Sequence, residues 1–130
     1  LFRGQDYPLI STRAIGWYSY LNKATGYLHW AWNLWDWTGL DPFSEMANKH
    51  GPTDTYLVYP DMINMTVMES TRSTAVRDGF EDYELLKLAE SKNPTKTKSV
   101  INELIIDQRR FQRSASEFAA LRIQLLKVFG

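Results

Sequence analysis

The sequence predicts an α/β fold, and three observations carry that prediction. A short aromatic run free of Pro, Gly26 to Trp32, reads as a buried strand. A helix-length segment precedes it across a very short link. The second half of the chain then shows apolar residues at helical spacing behind recognisable cap residues. Helix, tight turn and strand together are the αβ half of a βαβ unit.

The elements follow in order. Leu1 to Ile10 is polar and contains Pro8. Ser11 or Thr12 can cap a helix, since a hydroxyl accepts the orphan N–H groups of a first turn. That helix is expected over about Arg13 to Asn22, with Ile15, Trp17, Tyr18 and Leu21 as apolar members and Gly26 just past its end.

The strand follows. Successive side chains on a strand point to opposite faces. Leu28, Trp30 and Trp32 then share one face, and Tyr27, His29 and Ala31 the other. Apolar and aromatic residues on both faces point to a strand covered on both sides, as in a parallel sheet. The stretch from Gly26 to Trp37 holds four of the five tryptophans. Its second half, Asn33 to Trp37, mixes polar residues with indoles, as a strand does where it runs out into a cleft. A flat apolar face beside Asn and Asp suits a sugar ring, which has an apolar C–H face and a rim of hydroxyls. The plain alternative is that the indoles are only core; it has more force for Trp30 and Trp32 than for Trp35 and Trp37, which lie in the loop.

Asn33 to Thr55 reads as a long loop broken by Asp41-Pro42 and Gly51-Pro52. Tyr56 to Tyr59 is a second short apolar run, strand or extended, closed by Pro60, and Asp61 to Met68 reads as a connection. The longest helix is expected over Glu69 to about Lys92, with Val76, Phe80, Tyr83 and Leu86 or Leu88 as its stripe. Gly79 costs that helix about 1 kcal/mol relative to Ala, which argues for a close packing contact there. Asn93-Pro94 restarts the chain as cap and first helical residue, before Val100, Ile101, Leu104 and Ile105. Ser114 to Glu117 has the capping-box pattern and opens a last helix with Phe118, Leu121, Arg122, Leu125 and Phe129 as its stripe.

At 130 residues the chain can form one small domain with its own core. Fifteen acidic and fifteen basic residues balance without a basic block, which argues against a general nucleic-acid binder. No apolar run approaches the length of a membrane span. With no cysteine, disulfides and thiolate metal sites are excluded. The start at Leu1-Phe2-Arg3 reads as a piece of a longer polypeptide.

His29 and His50 lie far apart, with no His or Glu at metal-ligand spacing. Neither a phosphate-binding Gly-rich loop nor a nucleophile elbow occurs. Glu81 and Asp82 point about 100° apart on a helix and do not converge on one atom. Asp36 and Asp41 lie in the aromatic loop, where they can hydrogen-bond sugar hydroxyls. Arg72 is expected to project toward Tyr59, and Arg77 to pair with Glu81 on the surface. The reading preferred for Arg77, Asp78 and Asp82 is structural bracing of the helix against neighbouring loops. Asn64-Met65-Thr66 matches a glycosylation acceptor by chance.

One set of runs carries a resemblance: Arg13 to Trp17, Gly26 to Asn33, Tyr56 to Pro60, Ser70 to Arg72, and Val76-Arg77-Asp78-Gly79-Phe80-Glu81-Asp82-Tyr83 continuing to Leu86. In that order the chain, over about Tyr7 to Leu88, resembles the C-terminal part of the glycoside hydrolase family 123-like catalytic domain (the domain of unknown function 4091). It departs from that pattern at Pro52 to Thr55, at Asp61 after Pro60, and at Glu69 before Ser70. The resemblance implies a (β/α)8 TIM-type barrel that hydrolyses terminal β-linked N-acetylgalactosamine or a related hexosamine. The sugar's own acetamide attacks, oriented by an Asp, and a Glu is the general acid. No Asp is followed directly by Glu in this chain, so that catalytic pair is expected upstream.

By that resemblance residues 1–92 are the C-terminal part of the barrel, with about two strands, and residues 93–130 a helical tail packing on it. Active sites of such barrels sit at the C-terminal ends of the strands. Trp30, Trp32, Asn33, Trp35, Trp37, Asp41, Tyr59 and Arg72 are the expected substrate-binding residues. No catalytic residue, metal or cofactor is implied within the chain. The expected partners are a carbohydrate substrate and the remainder of the barrel, and the expected setting is secreted or periplasmic. Alone, the chain is expected to be inactive. The alternative is a non-catalytic helical module that binds carbohydrate or protein.

Overall fold

Residues 7–35, 41–43 and 56–130 are described by a computed structural model. Their elements are α1 (Leu9–Leu21), β1 (Val58–Asp61), β2 (Thr66–Glu69), α2 (Thr71–Lys92), α3 (Pro94–Leu104) and α4 (Ala115–Leu126). The content is α/β, with four helices and one two-stranded antiparallel sheet among the described residues.

Helix α1 starts earlier than its hydroxyl residues suggest. Pro8 occupies the N-cap, and Ser11 and Thr12 are buried inside the helix rather than capping it. Proline fixes a φ suited to a helix start and has no N–H to leave unsatisfied. The helix stops at Lys23, not Gly26. Lys23 adopts a left-handed φ of 54°, its N–H donates to the Tyr20 carbonyl, and the Ala24 N–H donates to the Ser19 carbonyl. These are the two reversed bonds of a Schellman stop.

α1 packs chiefly against α2, and two glycines set the distance. A Cβ added at Gly79 would lie 2.3 Å from the Arg13 carbonyl oxygen, so only a residue without a side chain fits. The buried residues of α2 are Arg72, Ala75, Gly79, Asp82, Leu86 and Ala89. Their alternating spacing of three and four is one helix face. This corrects the expected stripe. Val76, Phe80 and Tyr83 lie on its flank, half-buried, and Leu88 is exposed. Leu86 of the expected stripe is fully buried, but Ala75, Gly79 and Ala89 take the neighbouring buried positions, where small residues let α1 approach.

The capping chemistry of the other helices follows the sequence closely. Ser70 caps α2, accepting from the Ser73 N–H, while the Ser73 hydroxyl accepts from the Ser70 N–H. Asn93 caps α3 by accepting from the Lys96 N–H, with Pro94 at the first position. Ser114 caps α4 by accepting from the Glu117 N–H. The Glu117 carboxylate accepts instead from Gln112, so the reciprocal half of that box is replaced. The core joins Ala14 and Trp17 of α1, Leu86 and Ala89 of α2, Val100, Ile101 and Leu104 of α3, and Phe118, Leu121 and Leu125 of α4. Phe129 lies beyond α4 and is partly exposed.

The connection expected over Asp61 to Met68 is the turn and second strand of a hairpin. Val58 pairs with Glu69, and Asp61 with Thr66. One Asp61 carboxylate oxygen accepts from the Ile63 and Asn64 N–H groups, and the other from the Asn64 side chain. These bonds hold the Asp61 carboxyl below its ordinary pKa, the Asn64 side-chain bond most of all. Met65 closes the turn with a left-handed φ of 52°.

Gly26 to Trp32 forms no strand, contrary to expectation. A strand is held by its ladder, and no neighbouring strand pairs with these residues among those described. Leu28, Trp30 and Trp32 are 88%, 52% and 50% exposed; of the expected opposite face Ala31 is buried, His29 half-buried and Tyr27 exposed. The first pairing comes just after the run, where Asn33 bridges Tyr56 and the Leu57 N–H donates to the Trp32 carbonyl.

Candidate functional site

The aromatic segment is anchored at both ends. At its start, the Tyr83 hydroxyl donates to the Ala24 carbonyl and Tyr27 packs on Phe80, with ring centres 5.5 Å apart. At its far end, the Trp35 indole N–H donates to the Val58 carbonyl at 2.7 Å. Between these anchors Trp30 and Trp32 present about half their surface outward. Indoles held by backbone pairing yet open on one side can stack on a ligand.

Beside that far end lies a second aromatic group. Tyr59 stacks on Phe43 with ring centres 5.2 Å apart and meets Tyr56 edge-on at 5.4 Å. The Arg72 guanidinium carbon lies 5.3 Å from the centre of the Tyr56 ring. Arg72 is buried at the first turn of α2, immediately after the Ser70 cap, whose hydroxyl donates to the Leu57 carbonyl. One short run of chain thus carries both the hairpin start and the arginine. Asp41 is exposed and its carboxylate accepts from the Phe43 N–H at 2.9 Å.

Of the expected binding residues, Trp32, Asn33, Trp35, Tyr59 and Arg72 therefore converge on the start of the hairpin, with Trp30 adjacent along the same exposed face. Asp41 is near through Phe43. Trp37 lies outside the described residues, as do Asp36 and His50. Tyr56 and Phe43 were missed by sequence reasoning. The signal for Tyr56 was its place two residues before Val58 in an aromatic run; that for Phe43 was an aromatic directly after Asp41-Pro42.

The most distinctive motif of the sequence has a different job. Arg13 donates from Nε to Asp82 Oδ2 at 2.6 Å and from a terminal nitrogen to Oδ1 at 3.0 Å, a two-point grip on the carboxylate. Trp17 donates its indole N–H to the same carboxylate at 3.1 Å, and Arg122 of α4 donates at 3.1 Å. Asp78 adds a contact to Arg13 at 3.3 Å. Burial works against the Arg13 charge, but the hydrogen bond and field of Asp82, with Asp78 and Glu81, more than offset it and raise its pKa. Phe118 lies under both Arg13 and Trp17, at 4.6 Å from each. Asp82 and Asp78 are thus bracing groups, and what they brace is helix α1 and helix α4 rather than loops. Arg77 pairs with Glu81 at 3.9 Å on the surface, as the spacing predicts.

Clefts open on the described surface, and three of them are well defined. One of about 660 Å³ lies between α1, α2 and α4, beside Leu9, Arg13, Asp78, Phe118 and Arg122. One of about 460 Å³ is lined by residues that include Tyr20, Lys23, Lys87 and Lys98. One of about 300 Å³ adjoins it at Tyr27, Phe80 and Tyr83. None of the three is lined by Trp30, Trp32, Trp35, Tyr59 or Arg72. Among the described residues no group of three or more His, Asp or Glu is placed to hold a metal, and no helix is long and apolar enough to cross a membrane.

Comparison with protein families gives a match over most of the chain. The family model of the glycoside hydrolase 123 catalytic domain matches residues 5–89, which takes in α1, the aromatic segment, the hairpin and most of α2. No curated protein sequence matches the chain. The matched span covers well over half of the residues and includes the Arg13–Asp82 lock, and the chain belongs to the glycoside hydrolase 123 catalytic domain family, a family of carbohydrate-active hydrolases.

Proposed function

We propose that this chain forms the substrate-binding wall of a glycoside hydrolase acting on terminal β-linked N-acetylhexosamine, N-acetylgalactosamine before others. The observation that carries the reading is the outward aromatic face of Leu28, Trp30 and Trp32, which leads into the Asn33–Tyr56 bridge beside Tyr59 and Arg72. Trp30 and Trp32 supply flat surfaces for the C–H face of the sugar. Asn33, Asp41 and Arg72 offer donors and acceptors for its hydroxyls and acetamide. Trp35 and Tyr59 fix the wall to the hairpin.

Residues 1–92 are proposed as the closing part of a (β/α)8 barrel and residues 93–130 as a helical tail. The family match over residues 5–89 supports this, since it takes in the aromatic segment and the helices that flank it. The acid and the orienting carboxylate of a substrate-assisted mechanism are adjacent Asp and Glu residues. No Asp directly followed by Glu occurs here, Glu81-Asp82 being in the reverse order and on α2, and both groups are assigned to the polypeptide upstream. The chain's own part is then to hold the sugar while chemistry supplied by other residues proceeds.

Titration of the chain with N-acetylgalactosamine, followed by tryptophan fluorescence, tests the reading. A saturable shift that disappears in Trp32→Ala is expected. No response at any sugar concentration overturns the binding role. An aryl N-acetyl-β-galactosaminide is expected to remain intact in the presence of the isolated chain. Turnover that survives repurification overturns the upstream assignment.

A further inference from the structure

We infer that the paired clefts beside the end of α1 form a subsite for an anionic substituent of a glycan, a sulfate ester or a carboxylate. This extends the carbohydrate reading to a place that the sugar wall does not occupy. The larger cleft is lined by Lys23, Lys87 and Lys98 against a single carboxylate, Glu90, an excess of two positive charges. All three lysines are exposed, and none has a carboxylate within ion-pair distance among the described residues. Glu90 lies on the same wall as Tyr20. Three ammonium groups around one concavity, none of them in an ion pair among the described residues and only one acid beside them, favour an anion there.

The neighbouring surface fits the rest of a sugar. The smaller cleft shares Thr25 and Tyr83 with the larger one and adds Tyr27, Phe80 and Glu84, so the positive excess sits in the larger cleft and the charged substituent belongs there. Tyr20 and Tyr83 meet edge-on at 6.3 Å, and Tyr27 leans on Phe80. Aromatic rings lie next to cations, and Thr25 and Asn102 add hydrogen-bonding groups at the border. A ring can rest on the first part while its charged substituent reaches the second. Lys23 has a further peculiarity. It holds the left-handed position at the end of α1 that glycine ordinarily takes, and so places an ammonium-bearing side chain at the cleft where a glycine would leave none.

The test is amide NMR shift mapping on the 130-residue chain. Four probes are compared: sulfated N-acetylgalactosamine, glucuronic acid, unmodified N-acetylgalactosamine and sodium sulfate. The sulfated and carboxylated sugars are expected to move the amides around Lys23 to Tyr27, Lys87 and Lys98. The affinity should fall with added salt and drop at least about tenfold in the combined Lys23→Gln, Lys87→Gln, Lys98→Gln variant. Replacement of the same residues by Arg should keep binding, and Glu90→Gln should strengthen it. Unchanged affinity in the Gln variant overturns the assignment. So does a response to sodium sulfate equal to that of the sulfated sugar, which reduces the site to a bare anion trap. The unmodified sugar reports separately on Trp30 and Trp32, so failure of the sugar wall and failure of this subsite appear at different residues of the same spectrum.

Discussion

Gly16 and Gly79 place the backbones of α1 and α2 in direct contact: a Cβ on Gly16 would sit 1.7 Å from the Gly79 carbonyl oxygen. A backbone atom cannot step aside as the tip of a flexible side chain can. Alanine at Gly79 gains about 1 kcal/mol in helix propensity, yet it must push the helices apart. Overpacking of this kind costs about 3 kcal/mol or more when backbone has to move. Gly79→Ala and Gly16→Ala are each expected to lower stability by about 2 kcal/mol net, read from urea unfolding midpoints. A midpoint unchanged in either variant contradicts the contact.

Asp82 is the acceptor on which α1 and α4 converge, and its side chain is only 5% exposed. Its removal strips Arg13, Trp17 and Arg122 of a shared partner. Loss of one member of a buried charge network costs about 3–5 kcal/mol. Arg13 and Arg122 keep partial access to water, at 22% and 38%, so the lower end of that range, about 3 kcal/mol, is expected for Asp82→Ala. Arg122→Gln removes the more exposed donor and should cost about 1 kcal/mol. Thermal melts that rank the two variants the other way contradict the arrangement.

The Trp variants separate binding from folding. Trp30 and Trp32 are half exposed, so alanine at either position should abolish the sugar response while moving stability little. Trp35 donates to the Val58 carbonyl, and Trp35→Phe should cost about 1 kcal/mol through that lost bond. A fluorescence titration and a denaturation curve on each variant make the comparison.

Alkaline pH should weaken the fold through Tyr20. Burial, and then the nearby Glu90 carboxylate, push its pKa up from 10.0 to about 12. The folded state therefore favours the neutral phenol. Its contribution is complete below pH 10 and is lost as pH rises toward 12. Tyr20→Phe is expected to flatten the decline of stability across that window. An identical pH profile in the variant removes Tyr20 as its cause.

Much of the helical half was readable from residue chemistry. Asn93-Pro94 and Ser114 announce their helices because a short polar side chain and a ring without N–H have few other uses there. The misreadings share a physical cause, which is that an isolated stretch does not reveal its partner. Val76, Phe80 and Tyr83 look like a core stripe until α1 arrives and the Gly79 side proves the only one that lets it close. Gly26 to Trp32 has the residues of a strand, but a ladder needs a second chain segment alongside. Lys23 hides a helix stop because nothing about lysine announces a left-handed φ. The proposed sugar wall was legible in part: the tryptophans and Arg72 stood out, whereas Tyr56 joined them only through the pairing with Asn33.

Helix α2 is unbroken from Thr71 to Lys92, and this gives the molecule a built-in ruler. Arg72 lies near one end and Lys87 near the other, separated by about 23 Å at 1.5 Å per residue. No monosaccharide reaches across that gap, but an oligosaccharide chain does. A polymer touching both regions would gain avidity from a fixed separation, so the length of the glycan, as much as the identity of its terminal unit, would set how long it stays bound.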